Sequence, residues 1–266
     1  MLWEEIEMNK PQFLYHYTNI ETLALILKYR TIRFNRLDFV DDLEEVETYD
    51  MGKAGRFGFV SCWTEDEEES IPFWHMYTKD MKGVSIKLPT DPFVKYNVEG
   101  KGVSESFTSN FTYEEILRLD GIIDYASGSF LSKVTYTDDE DLIKPKIFTQ
   151  DGPLYQVNIN DIGKYKRTHW SFQKEWRYMI FIWPLTVEEM QQQKHYLMYE
   201  RFKGEYNLGI QHYLLNIDSA KFEQMEITLG PNTSEGEKII VESLVNEFNP
   251  KTKIHESKLK NKIRLK

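Results

Sequence analysis

Apolar and polar positions recur along the chain with periods that predict most of its elements. Alternation predicts a strand at Gln12–Tyr17. Thr18, with Glu21 three residues later, has the spacing of a capping box. Behind it, Ile20, Leu23, Ala24 and Leu27 fall on one face of a helix. A second strand, Thr31–Asn35, leads into the acidic stretch Asp41–Glu47. Then come a strand at Phe57–Thr64, an acidic loop Glu65–Glu69, an aromatic helix Pro72–Tyr77 and a strand Gly83–Leu88. Tyr113–Leu131 is expected as a helix, Lys133–Thr137 as a strand and Asp138–Lys166 as a loop-rich region. The pattern sharpens at Lys174–Trp183, a β-rich run too short to span a membrane. Beyond it a helix is expected at Glu188–Phe202, strands at Ile210–Ile217 and Phe222–Leu229, a capped helix at Ser234–Phe248 and a closing strand at Thr252–Leu259.

Strands mixed irregularly with helices argue for an α+β fold instead of a regular βαβ alternation. No linker or repeat divides the chain, which reads as one domain over residues 1–266 with a loop- and helix-rich insertion around 89–169. The 266 residues are 41% apolar, with 6 Trp, 16 Tyr and 16 Phe, enough rings for a large core or a stacking pocket. That composition excludes disorder, collagen and coiled coil.

Charge narrows the partners. The net charge is −10, but Lys251–Lys266 alone carries +6, leaving −16 on the rest. Such a body is a poor general binder of phosphate backbones, so a protein or small-molecule partner is favoured over nucleic acid. The single cysteine, Cys62, excludes an intramolecular disulfide framework and fits a reducing compartment. The opening MLWEEIEMNK is acidic where a leader would be basic, and no run approaches ~18 apolar residues. A cytoplasmic location without membrane attachment is expected.

Several chemistries find no motif. Gly52, Gly55 and Gly58 lack the preceding strand of a Rossmann turn, and Leu229–Asn232 reads as a tight turn before a Ser234 cap. The six histidines are scattered, so no metal site is expected. What remains is a constellation at strand ends. His16 ends the first strand, Trp63 ends another, and Trp74 and Tyr77 lie on the short helix after it. Glu175 opens the most hydrophobic strand, where period two puts Glu175, Arg177, Met179 and Phe181 on one face and Trp176, Tyr178 and Ile180 on the other. A carboxylate there is costly unless paired or used. Each member also has a plain structural role open to it: His16 bonded to backbone, the rings as core, and Glu175 in an ion pair with Arg177 or Arg33.

The ordered blocks Leu14–Thr18, Ile32–Phe34, Ser61–Glu65, Phe73–Tyr77, Gly83–Ile86 and Trp170–Arg177 resemble the bacterial domain-of-unknown-function family 2971. The likeness runs from about residue 13 to Gly230, departing from the family's Asn-Asp-Pro at Asp41-Asp42-Leu43. The same blocks are similar in order to ADP-ribosyltransferases of the diphtheria-toxin and poly-ADP-ribose-polymerase type. Departures are Tyr17 in place of glycine, Trp63 near the usual tyrosine position and a longer segment before the Glu175 strand. The resemblance implies an ADP-ribosyltransferase-like fold of two packed, mostly antiparallel sheets with flanking helices. It implies NAD as substrate, cleaved at the nicotinamide–ribose bond, with Glu175 and His16 catalytic. Tyr17, Thr18, Arg33, Trp63, Trp74 and Tyr77 would contact the dinucleotide, with Arg33 or Arg36 at the pyrophosphate. A non-catalytic module that senses a nucleotide or binds a partner through the same cleft is the alternative.

Overall fold

The computed structural model describes residues 10–99, 106–118, 120–125, 130–151, 154–194 and 196–263. All but Lys10 of the N-terminal stretch read for leader character, and the last three residues of the basic tail, lie outside the described residues. Seven strands run side by side in one sheet: β1 (Phe13–Thr18), β2 (Thr31–Arg36), β3 (Gly58–Thr64), β4 (Val84–Pro89) and, after two strands introduced below, β7 (His212–Asn216), β8 (Glu226–Leu229) and β9 (Lys253–Glu256). Their order is β7-β2-β3-β1-β4-β8-β9. The hydrophobic strand β6 (Glu175–Trp183) lies along the other side of β3, and β5 (Leu131–Lys133) and the pair Ile122–Ile123 add to β6, giving ten strands. All pairs are antiparallel except β8 with β9. The expectation of two packed sheets is corrected to one large mixed sheet.

That sheet nevertheless forks. β6 occupies one edge of β3 along its whole length, from Gly58 opposite Phe181 to Thr64 opposite Glu175. Both β1 and β2 must then use the other edge. β2 takes its first half, with Asn35 opposite Val60, and β1 its last residue, with Tyr15 opposite Thr64. Cys62, midway between, pairs with neither. The two arms of the sheet diverge there.

The helices cover the faces as their patterns require. α1 (Ile20–Tyr29) buries Leu23, Ile26 and Leu27 against α3 (Glu235–Phe248) and the sheet. Its cap is Asn19, whose side chain accepts from the Thr22 amide, and not Thr18, which the β1–β4 ladder holds opposite Val84. α3 does begin with the Ser234–Glu237 capping box. α2 (Ile71–Tyr77) starts at Ser70, with Pro72 in its first turn.

Four expected elements are shorter or broken. Tyr113–Leu131 is helical only over Tyr113–Ile116; Ile122–Ile123 pairs with β6 instead, and the chain comes so close at Gly121 that a side chain there would meet the Trp183 carbonyl. Residues 119 and 126–129 of that span lie outside the described residues. Lys133–Thr137 splits into β5 and Thr135–Tyr136, which pairs in parallel with Tyr165–Lys166. Glu188–Phe202 is two helices, Val187–Gln191 and Tyr196–Lys203, parted near Gln193 at φ +56°. Phe222–Leu229 is strand only from Glu226. Among the described residues no helix is long and apolar enough to cross a membrane.

Candidate active site

The fork between β1 and β2 opens into a cleft of about 250 Å³. One face of the sheet supplies its floor. Antiparallel partners directly opposite each other point the same way, so Arg177 joins Cys62, Met179 joins Val60, and Asn35 of β2 joins Val60 on that face. Tyr15, Tyr17, Phe73 and Tyr77 wall one side, Phe39 and Val40 the other, and exposed Arg33 stands at the rim.

A buried ion network forms the deepest part. Arg177 Nε donates to Glu175 Oε1 at 2.5 Å and Arg177 Nη1 to Glu45 and, at 2.8 Å, to the Gly163 carbonyl. Lys166 Nζ donates to Glu175 Oε2 at 2.9 Å and to Gln173 Oε1 at 2.8 Å, and sits 3.2 Å from Glu45 Oε1. Two carboxylates and two cations leave the set neutral, although Glu175 and Arg177 are only 3% and 1% exposed. Burial alone would raise the Glu175 carboxyl; the charges of Arg177 and Lys166 more than reverse that and hold it below the ordinary range. The Glu175 amide donates to the Tyr136 hydroxyl at 2.9 Å. Gly163, at φ +67° and with the Met179 side chain pressed against it, presents its carbonyl where a side chain would not fit.

His16 closes the fork. Its Nδ1 lies 2.9 Å from the Cys62 carbonyl, which can only accept, so Nδ1 carries the proton and Nε2 is left as an acceptor. Burial lowers the ring's pKa from 6.5, more than the bond to Cys62 raises it. The imidazole rests on Trp63, ring centroids 5.0 Å apart, and Trp63 Nε1 donates to Ser61 Oγ. Burial pushes the Cys62 thiol up, and the neighbouring Glu175 carboxylate adds to the effect.

The sequence-derived residues divide clearly. His16, Tyr17, Arg33, Trp63, Tyr77 and Glu175 all border the cleft. Trp74 and Thr18 are not among its lining residues. Trp74 is buried with Tyr17, Phe73 and Met81 behind the wall, its Nε1 donating to Glu69 at 3.0 Å. On α2 it is Phe73 and Tyr77, four residues apart, that share the cleft side. Trp63 is fully buried beneath His16, and Arg36 is held by Asp38 through two bonds of 2.7 Å, so neither offers a free ring face or guanidinium. Glu175 pairs with Arg177 and Lys166, not with Arg33.

Glu45, Lys166 and Gln173 escaped the sequence reading. Lys166 lies in the loop-rich stretch and Glu45 in an acidic run that reads as solvated; the one local hint is Val46 beside Glu45, an apolar residue inside that run. Among the described residues no cluster of three or more His, Cys, Asp or Glu is placed to hold a metal ion. No family model, no curated protein and no solved structure matches the chain.

Proposed function

We propose that the cleft recognises a nucleotide of the NAD class, on a domain related to family 2971 and to the ADP-ribosyltransferase fold, and that recognition, not cleavage, is its function. The observation that carries the reading is that His16, Tyr77 and Glu175, distant in sequence, line one aromatic-walled cleft with Arg33 at its rim. Its volume falls just below the ~300–1,000 Å³ of drug-sized pockets, which suits a ring and a sugar, the rest of the ligand extending past Arg33. An aromatic wall suits a planar ring and a guanidinium suits a phosphate. Recognition is favoured because both Glu175 oxygens are engaged by cations, which spend the charge that an oxocarbenium-like transition state would draw on.

The second reading, an ADP-ribosyltransferase or NAD glycohydrolase with Glu175 and His16 catalytic, is favoured by one observation. Glu175 stays ionised in the same cleft as Tyr77. Calorimetry with NAD, with nicotinamide release followed in the same sample and Glu175→Gln as control, separates the two. Binding without release supports recognition. Release that disappears in Glu175→Gln establishes the enzyme, and no binding at millimolar NAD removes the nucleotide reading.

A further inference from the structure

Gln173 ends the turn Thr168–Gln173 and lies between Lys166 and Tyr77. Which way its carboxamide faces follows from chemistry. An ammonium has donors only, so the atom 2.8 Å from Lys166 Nζ is the oxygen, and the amide nitrogen faces the Tyr77 hydroxyl at 2.6 Å. That bond uses the tyrosine oxygen as acceptor and turns the phenolic proton away from Gln173. Among the described residues the Tyr77 hydroxyl has no other hydrogen bond, and Tyr77 is one of the residues that line the cleft. Lys166 is itself fixed, by Glu175 Oε2 at 2.9 Å and Glu45 Oε1 at 3.2 Å. The polarity therefore propagates from the buried carboxylates through an ammonium and an amide to one hydroxyl proton.

We infer that Gln173, oriented by Lys166, positions Tyr77 as a dedicated hydrogen-bond donor to the bound molecule, so that the site selects ligands presenting an unprotonated oxygen, such as a carbonyl, over ligands presenting only a donor. The inference rests on the reading of the cleft as a ligand site, not on the identity of the nucleotide. Burial holds the Tyr77 hydroxyl far above its ordinary pKa, so the proton is present throughout the neutral range. Gln173 acts through Tyr77 and is a positioning residue.

The test uses two small aromatic probes observed by fluorine NMR: 4-fluoroacetophenone, which only accepts, and 4-fluoroaniline, whose amine donates. The wild type is expected to favour the ketone by about tenfold, the cost of one mismatched hydrogen bond. Tyr77→Phe keeps the ring and loses that preference. Gln173→Glu presents a carboxylate that captures the tyrosine proton, so it loses the preference while keeping the hydroxyl. Gln173→Met removes the amide without adding charge and gives an intermediate ratio. A role in folding alone would lower both affinities together and leave the ratio unchanged.

NAD is titrated into the same samples. An intact ketone preference without NAD binding removes the nucleotide and keeps the donor assignment. NAD binding unaffected by Tyr77→Phe and Gln173→Glu keeps the nucleotide and overturns the assignment. Equal affinity for the two probes in the wild type, or binding of neither, also overturns it.

Discussion

Glu45 and Arg177, 132 positions apart in the chain, form an ion pair in which each side chain is 1% exposed. The pair ties the acidic loop after β2 to the first part of β6. Removing one partner of a buried pair leaves an uncompensated charge, which costs ~3–5 kcal/mol. Glu45→Ala is expected to lose about that much in urea unfolding, and Glu45→Gln less. Arg177→Lys is expected to behave as a severe change, since one ammonium cannot reach Glu45, Glu175 and the Gly163 carbonyl together. A loss under ~1 kcal/mol for Glu45→Ala would mean that the pair is not buried as described.

Acid should expose Glu175. Its folded pKa lies below the ordinary 4.5, so the native state binds fewer protons than the unfolded chain. The corresponding stability is complete above about pH 4.5 and is lost as pH falls through the depressed folded value. Other carboxylates share this slope, Glu189 beside Arg201 among them at about 2. The informative quantity is therefore the difference between proteins. Glu175→Gln is expected to lower the melting temperature at pH 7 and to narrow its gap to the wild type between pH 5 and 3. A gap that widens on acidification sinks the assignment.

For His16 the sign runs the same way at higher pH. Its pKa is lowered from 6.5, so its contribution to stability is present above pH 6.5 and declines as pH falls further. Nitrogen-15 NMR should show a neutral ring protonated on Nδ1 at pH 7, titrating below 6.5. A ring protonated on Nε2 would contradict the bond to Cys62, and a pKa above 6.5 would contradict the burial of the ring.

Cys62 should be inert. Its thiol is pushed well above 9.0 by burial and by Glu175, and only the thiolate reacts. Iodoacetamide at pH 8 is expected to label the native protein far more slowly than the unfolded chain. Comparable rates would show the cleft floor open to reagent.

The elements with strong local patterns were legible. β6 shows its two faces by alternation alone, and the Ser234–Glu237 box locates the start of α3. The Thr18–Glu21 box has the right spacing but the ladder to β4 holds Thr18, and Asn19 caps the helix in its place. Tertiary contact decided the segment after Tyr113 as well, where pairing with Ile182 and Trp183 overrode a helical period. The candidate site divided along the same line. Glu175 stood out because a charge opening an apolar strand is anomalous, whereas Glu45 and Lys166 carry no local anomaly; their meaning lies in each other and in Arg177. Trp74 was misplaced because a ring next to a cleft residue in sequence sits a hundred degrees around the helix from it.

The fork at Cys62 also has a mechanical side. In a continuous sheet, rotating one strand relative to its neighbour breaks several ladder bonds at once. Here Val60 is tied to β2 and Thr64 to β1, while between them the Cys62 carbonyl is met by the imidazole of His16. Between those two ladder pairs the seam is bridged by a side-chain contact in place of a backbone one. His16 is thus a latch across the seam as well as a wall of the cleft, so the side chain that bridges the seam is one that an occupant of the cleft would meet.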